Sequence, residues 1–106
     1  MNTAIQPLLE ELREGFARTY GDRLAGVYVF GSYSRGEEKA ESDLDVLIVL
    51  DYIWDYGAEI DFTGELVSEV SQRHNVSISR KFVTAKDWEG GDSLFLRNVR
   101  EDAVAL

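Results

Sequence analysis

The chain has 106 residues, no cysteine, and 20 acidic against 11 basic side chains, for a net charge of -9. That length suits one domain, expected to span residues 1–106, and the lack of cysteine excludes disulfides, thiolate chemistry and Cys-type zinc sites. The acidic field opposes binding of long DNA or RNA but leaves room for a basic protein partner, or for a small nucleotide whose charge is offset by Mg²⁺. It also serves, more simply, to keep a small domain soluble. No apolar run nears the roughly 18 residues of a membrane span, and no signal-peptide pattern opens the chain, so the expected compartment is the cytoplasm.

Ile5, Leu8, Leu9, Leu12, Phe16 and Tyr20 recur at spacings of three and four, which predicts an amphipathic helix from about Thr3 to Tyr20. Thr3 with Gln6 offers a capping box, whereas Pro7 suits a first helical position. Gly21-Asp22 ends the helix. Val27 to Phe30 reads as a short central strand, and Gly31 to Gly36 as a turn and short helix. Residues 37 to 42 form a polar loop. Asp43 to Leu50 is the clearest strand, running Val46, Leu47, Ile48, Val49 and Leu50 without interruption, so both of its faces should be covered.

Asp51 to Tyr56 is an aromatic and acidic connection in which Asp51 or Asp55 can cap a second helix. That helix runs to about His74, buries Ile60, Leu66, Val67 and Val70, and ends at Asn75. Core packing is the default role for Tyr52, Trp54 and Tyr56, with an interface as the alternative. Tyr33 is expected to be partly exposed, and His74 to be a surface or capping residue. Val76 to Val83 alternates Val76, Ile78 and Phe82 against Ser77, Ser79 and Lys81, a strand with one more polar face. Lys86 to Gly91 reads as a loop, Asp92 as the cap of a short helix carrying Leu94, Phe95 and Val99, and the last four residues as a short edge strand. Helices alternating with strands in this order predict an α/β (α+β) domain with a small mixed sheet flanked by helices.

The chemistry-bearing residues lie in the middle. Asp43 and Asp45, two apart at a strand start, point to one face and can share a hard cation such as Mg²⁺. Gly31 lets backbone N–H groups approach a phosphate, which the Ser32 hydroxyl can also bind. Arg35 follows one turn later and can steady a leaving pyrophosphate. Each fragment alone also occurs as an ordinary turn or cap. In this order they support one another: phosphoryl chemistry is mostly positioning plus charge neutralisation.

Gly31-Ser32-Tyr33-Ser34-Arg35-Gly36, followed by Ser42-Asp43-Leu44-Asp45 and the apolar strand, resembles the signature of the polymerase-beta-like nucleotidyltransferases. The nearest likeness is to their smallest members, the minimal nucleotidyltransferase (MNT) family, and it covers nearly the whole chain. The resemblance implies a nucleotidyltransferase fold in which Gly31 and Ser32 bind a triphosphate, Asp43 and Asp45 bind Mg²⁺ and act as the catalytic pair, and Arg35 and Ser42 hold the nucleotide or its loop. It implies transfer of AMP from ATP to a hydroxyl with loss of pyrophosphate. It implies a partner too, a HEPN-domain toxin neutralised by AMPylation of a tyrosine or by binding alone, in a hetero-oligomer.

The larger family carries a third carboxylate on a neighbouring strand. Here that strand reads Val76-Ser77-Ile78-Ser79-Arg80-Lys81, with Ser77 or Ser79 at the corresponding place. A serine replaces a carboxylate neither as base nor as a strong Mg²⁺ ligand. Three alternatives follow: two aspartates suffice, an acid comes from the partner, or the chain is a binding-only antitoxin. The domain is also too small to wall in an acceptor, which favours an acceptor presented by another chain.

Overall fold

A computed structural model describes residues 1–106. The Asn2 side chain accepts a hydrogen bond from the Ala4 N–H at 2.9 Å and caps a 3-10 turn over Thr3–Ile5. Helix α1, Gln6–Tyr20, grows out of that turn. It therefore begins later than the apolar period suggests and Thr3 is not its cap. Pro7 lies in its first turn, where a missing N–H costs no helical bond.

Strand β1 (Leu24–Phe30) leads into the short helix α2 (Ser32–Arg35), and β2 (Leu44–Leu50) follows the acidic loop. Helix α3 (Tyr56–His74) then carries the chain to β3 (Ile78–Thr84). Asp55 caps α3, its carboxylate accepting the Ala58 N–H at 3.3 Å, and Asn75 ends it in the left-handed region at φ 53°. His74 lies in the last turn of α3, at a helix end as expected, and is 3.1 Å from a Glu11 carboxylate oxygen, a partner the sequence does not suggest. The chain closes with helices α4 (Ala85–Gly90) and α5 (Leu94–Asp102) and the two-residue strand β4 (Val104–Ala105). The sheet is mixed, in the order β3-β2-β1-β4. β1 is antiparallel to β2 and β4, whereas β3 is parallel to β2, as a helical crossover permits.

Alternation along β2 divides the apolar residues between two layers. Leu44, Val46, Ile48 and Leu50 join Val27, Val29 and Phe82 beneath α1 and α3, which contribute Leu8, Leu12, Phe16, Val67 and Val70. The opposite face is thinner. There Leu47 and Val49 meet Val99, with Tyr28, Phe30, Val83 and Trp88 packed around them under α4 and α5. Asp45 has the same parity as Leu47 and Val49 but is only half-buried: this smaller cover thins out before it reaches the start of the strand.

Four further details differ from the sequence expectations. Residues 85 to 90 are helical rather than a loop, because the Thr84 hydroxyl oxygen accepts the Asp87 N–H at 3.2 Å and caps α4. Arg100 secures that helix by donating to the carbonyls of Trp88 and Asp87. Ser93 caps α5 by accepting the Leu96 N–H at 3.1 Å, while Asp92 pairs with Arg97. Tyr33 is buried in the main core, since α2 packs against the two central strands, β1 and β2. The aromatic connection after β2 lies outside the core: Trp54 is 88% exposed and stacks on Tyr52 at 4.9 Å.

Beneath that connection Arg23 forms an ion pair with the buried Glu59 and places its guanidinium 4.9 Å from the ring centres of both Tyr20 and Tyr52. Burial, reinforced by the Glu59 charge, pushes the Tyr20 phenol above its ordinary pKa. Arg80 makes a second internal anchor from β3 to α3, donating to the Thr63 hydroxyl at 2.8 Å and the Ile60 carbonyl at 2.9 Å.

Candidate active site

The end of β1 and the start of β2 pair directly, with Phe30 opposite Asp45. The next residue, Gly31, takes φ 74° and ψ -154°, a conformation essentially reserved for glycine. Its missing Cβ matters as much as its torsions. A Cβ at that position would collide with the Asp45 carboxylate, so the turn rests its bare backbone against that side chain. Ser34 reinforces the turn, its hydroxyl donating to the Gly31 carbonyl at 2.8 Å. Ser32 opens α2 with its hydroxyl free of protein partners, and Gly36 closes the helix in the left-handed region.

Asp43 is exposed and Asp45 half-buried. Loss of water, and then the neighbouring Asp43 charge, push the Asp45 carboxyl above its ordinary pKa, while Lys81 and Arg35 pull it down. Two carboxylates held this close are also suited to share a cation, whose charge relieves the repulsion between them. They supply only hard oxygen donors, and no cluster of three acidic, His or Cys ligands exists in the chain. This set fits Mg²⁺, which takes one or two carboxylates and completes its shell with water and phosphate oxygens. It does not fit a fully protein-ligated site.

The other two expected residues are engaged elsewhere. Ser42 faces its own loop, where its hydroxyl oxygen accepts the Lys39 N–H at 2.9 Å, so it shapes the approach to Asp43. Arg35 lies at the exit of α2 and pairs with Glu37 and with Asp102 of α5. It thereby ties the Gly-Ser turn to the end of the chain while remaining near enough to influence Asp45.

Two residues complete the neighbourhood on the β3 side. The parallel register sets Ser79 beside Asp45 and Lys81 beside Leu47, and the Leu44 N–H donates to the Ser77 carbonyl at 2.8 Å. The third carboxylate is therefore absent from the structure as well as from the sequence pattern. Lys81 was not among the expected site residues. Its place on the polar face of that strand was the signal that could have included it.

A cavity of 220 Å³ opens beside Gly31, between Phe30, Phe95 and Val99 on one side and Arg35, Asn98 and Asp102 on the other. Two larger hollows lie elsewhere, one between α1 and the chain end and one between α1 and α3, remote from the aspartates. None of the three hollows is lined by Asp43 or Asp45, so the arrangement can hold phosphates and a cation but does not enclose an acceptor.

The nucleotidyltransferase domain family matches residues 9–88, a stretch that includes the turn, both aspartates and β3. The chain belongs to that family. The nucleotidyltransferase is 31% identical over 100 residues to a Methanocaldococcus jannaschii protein designated a protein adenylyltransferase, covering 92% of this chain and 93% of the relative. Its fold is that of a structure designated a minimal nucleotidyltransferase, with a TM-score of 0.62, 24% identity and coverage of 98% of this chain and 93% of the other. It also shares the fold of a chain in the complex of a tri-AMPylated Shewanella oneidensis HEPN toxin with its MNT antitoxin. That likeness has a TM-score of 0.58 at 17% identity, over 94% of this chain and 69% of that one.

Proposed function

We propose that residues 1–106 act as a single Mg²⁺-dependent nucleotidyltransferase domain that moves AMP from ATP onto a tyrosine hydroxyl of a HEPN-domain toxin, and so serves as its antitoxin. The observation that carries this is the packing of the Gly31 backbone against the Asp45 carboxylate, which joins a phosphate-binding turn to a cation-binding pair. Gly31 and Ser32 would hold the triphosphate through backbone N–H groups and the free Ser32 hydroxyl. Asp43 and Asp45 would hold Mg²⁺ next to it, where the bound cation neutralises phosphate charge. Arg35, shared with Glu37 and Asp102, keeps the turn in place and adds positive charge on the same side. Ser42 holds the loop that delivers Asp43.

Support for a protein acceptor comes from shape. The face carrying Asp45 is open, and Leu94 and Phe95 form an exposed apolar rim on α5, with Phe95 packed edge-on to Phe30 at 6.0 Å. A docked chain would cover that rim and exclude water from the aspartates. Support for the partner class and the adenylyl group comes from the relative designated a protein adenylyltransferase and from the fold shared with an MNT antitoxin. The absence of a third acid keeps a binding-only antitoxin as the second reading.

The test is incubation of the purified chain with a co-encoded HEPN-domain protein, Mg²⁺ and ATP labelled at the α-phosphate. Label is expected on a partner tyrosine and is expected to vanish with Asp43→Asn plus Asp45→Asn. No label, or equal label with the double variant, overturns the enzymatic reading. Toxin neutralisation that survives the double variant establishes masking instead.

A further inference from the structure

Along β3, side chains alternate between the two faces of the sheet. Arg80 turns beneath α3, where Thr63 and Ile60 receive its guanidinium. Ser79 and Lys81 therefore share the face of Asp45, and Val83, the next residue on that face, is already packed in the smaller core. Lys81 is thus the last side chain of β3 before the cover formed by α4 and α5 begins. It is exposed, and the ion pairs of the chain involve only Arg23, Arg35, Arg73, His74 and Arg97, leaving Lys81 unpaired. One strand spacing and a two-residue step separate the Lys81 and Asp45 backbones by about 8 Å. A lysine stem spans most of that distance, so the ammonium can reach the space in front of Asp45.

An ammonium cannot ligate a metal, but it can neutralise a phosphate as a point charge. We propose that Lys81 is a substrate-binding residue of this site: its ammonium pairs with the non-bridging oxygens of the α-phosphate, supplies the charge that a second cation would bring, and leaves the site with one divalent cation per nucleotide. The proposal rests on nucleotidyl transfer at Asp43 and Asp45. It accounts for Ser79 beside Asp45, where a cation-binding acid is not required once Lys81 carries the charge.

It also bears on the acceptor. With Asp43 and Asp45 committed to the cation, and neither Ser79 nor a protonated lysine able to take up a proton, the acceptor must lose its own with little help. A phenol, with a pKa of about 10, does so far more readily than an alcohol. The phenol proton passes to solvent and the ammonium favours the phenolate. The phenolate oxygen then bonds to the α-phosphorus as the bond to the bridging oxygen breaks, and pyrophosphate leaves with that electron pair. Tyrosine rather than serine is the acceptor such a site selects.

Two binding measurements test this with Mn²⁺ and α,β-methylene-ATP, which cannot react. Electron paramagnetic resonance is expected to count one bound Mn²⁺ per nucleotide in the wild type and two in Ser79→Asp combined with Lys81→Met. Lys81→Met is expected to weaken nucleotide affinity roughly tenfold or more, Lys81→Arg to restore most of it, and Lys86→Met, on the outside of α4, to change nothing. Thermal melting identifies any variant that has lost its fold, and Lys81→Gln then replaces Lys81→Met. Two Mn²⁺ in the wild type, or unchanged affinity without the ammonium, overturns the role of Lys81 alone. Absence of Mn²⁺-nucleotide binding in the wild type, or binding indifferent to Asp43→Asn, overturns nucleotidyl transfer and this role with it.

Discussion

The Gly31 backbone rests on the carboxylate of Asp45, and no side chain fits between them. Gly31→Ala must therefore relieve both a collision and a backbone conformation that costs a substituted residue about 1–3 kcal/mol. The expected outcome is a lowered melting temperature together with loss of Mg²⁺-dependent ATP binding, read by thermal denaturation and calorimetric titration. A variant that melts lower yet binds normally would separate the turn from the site.

Asp45→Asn should show the opposite trade. The folded state raises the Asp45 pKa, so it holds the proton more tightly than the unfolded chain does. The stability this group contributes is therefore greatest at acid pH and declines as pH rises through the raised pKa. At neutral pH, Asn removes a penalty. Allowing for solvent screening of a half-exposed group, the melting temperature should rise by about 1–3 °C at pH 7, with the difference closing near pH 3. Transfer should be abolished.

The same shift sets the acid limit of binding. Asp45 must be ionised to hold a cation, and it takes up its proton at a higher pH than an ordinary aspartate, chiefly through burial and then the Asp43 charge. Mg²⁺-ATP affinity should fall on acidification earlier than an unperturbed carboxylate would dictate. Lys81 opposes the shift, so Lys81→Met should move this limb to still higher pH in a calorimetric pH series.

Away from the site, Glu59 is 2% exposed and has Arg23 as its ion-pair partner. Arg23→Met leaves that carboxylate buried without compensation, and the expected loss is about 3 kcal/mol in denaturant unfolding. Nucleotide affinity measured below the melting transition should stay unchanged.

Leu94 is 67% exposed on the rim of the open face. Leu94→Ser should slow modification of a protein acceptor by roughly fivefold or more while leaving nucleotide binding intact. Equal effects on both would argue against a docking role.

Much of this architecture was legible in residue order. The unbroken apolar run of β2, the period of α3 and the Gly31–Asp45 motif reflect strong local patterns that tertiary structure had no reason to override. The failures were of three physical kinds. Two caps were missed: Thr84 before α4, in a stretch whose Gly-Gly pair reads as a loop, and Ser93, one residue past Asp92, before α5. Charge partners distant in sequence were invisible: nothing local to Arg35 shows that Asp102 holds it, and only the strand register brings Lys81 to Asp45. Aromatic content misled at Trp54, because hydrophobicity alone does not say whether a connection folds over the core or away from it.

The thin cover over the lower half of β2 has a consequence for control. Charges facing bulk water attract one another many times more weakly than the same charges in a dry interior. A site that is open on one side therefore holds its nucleotide in a high-dielectric setting, with its electrostatic strength largely muted. The surface that seals it also raises that strength, and under the proposed function the client itself provides the seal. Recognition and rate enhancement then become one event: a wrong protein that docks poorly leaves the nucleotide wet and unreactive, and no separate gate is needed to keep an idle copy from wasting it.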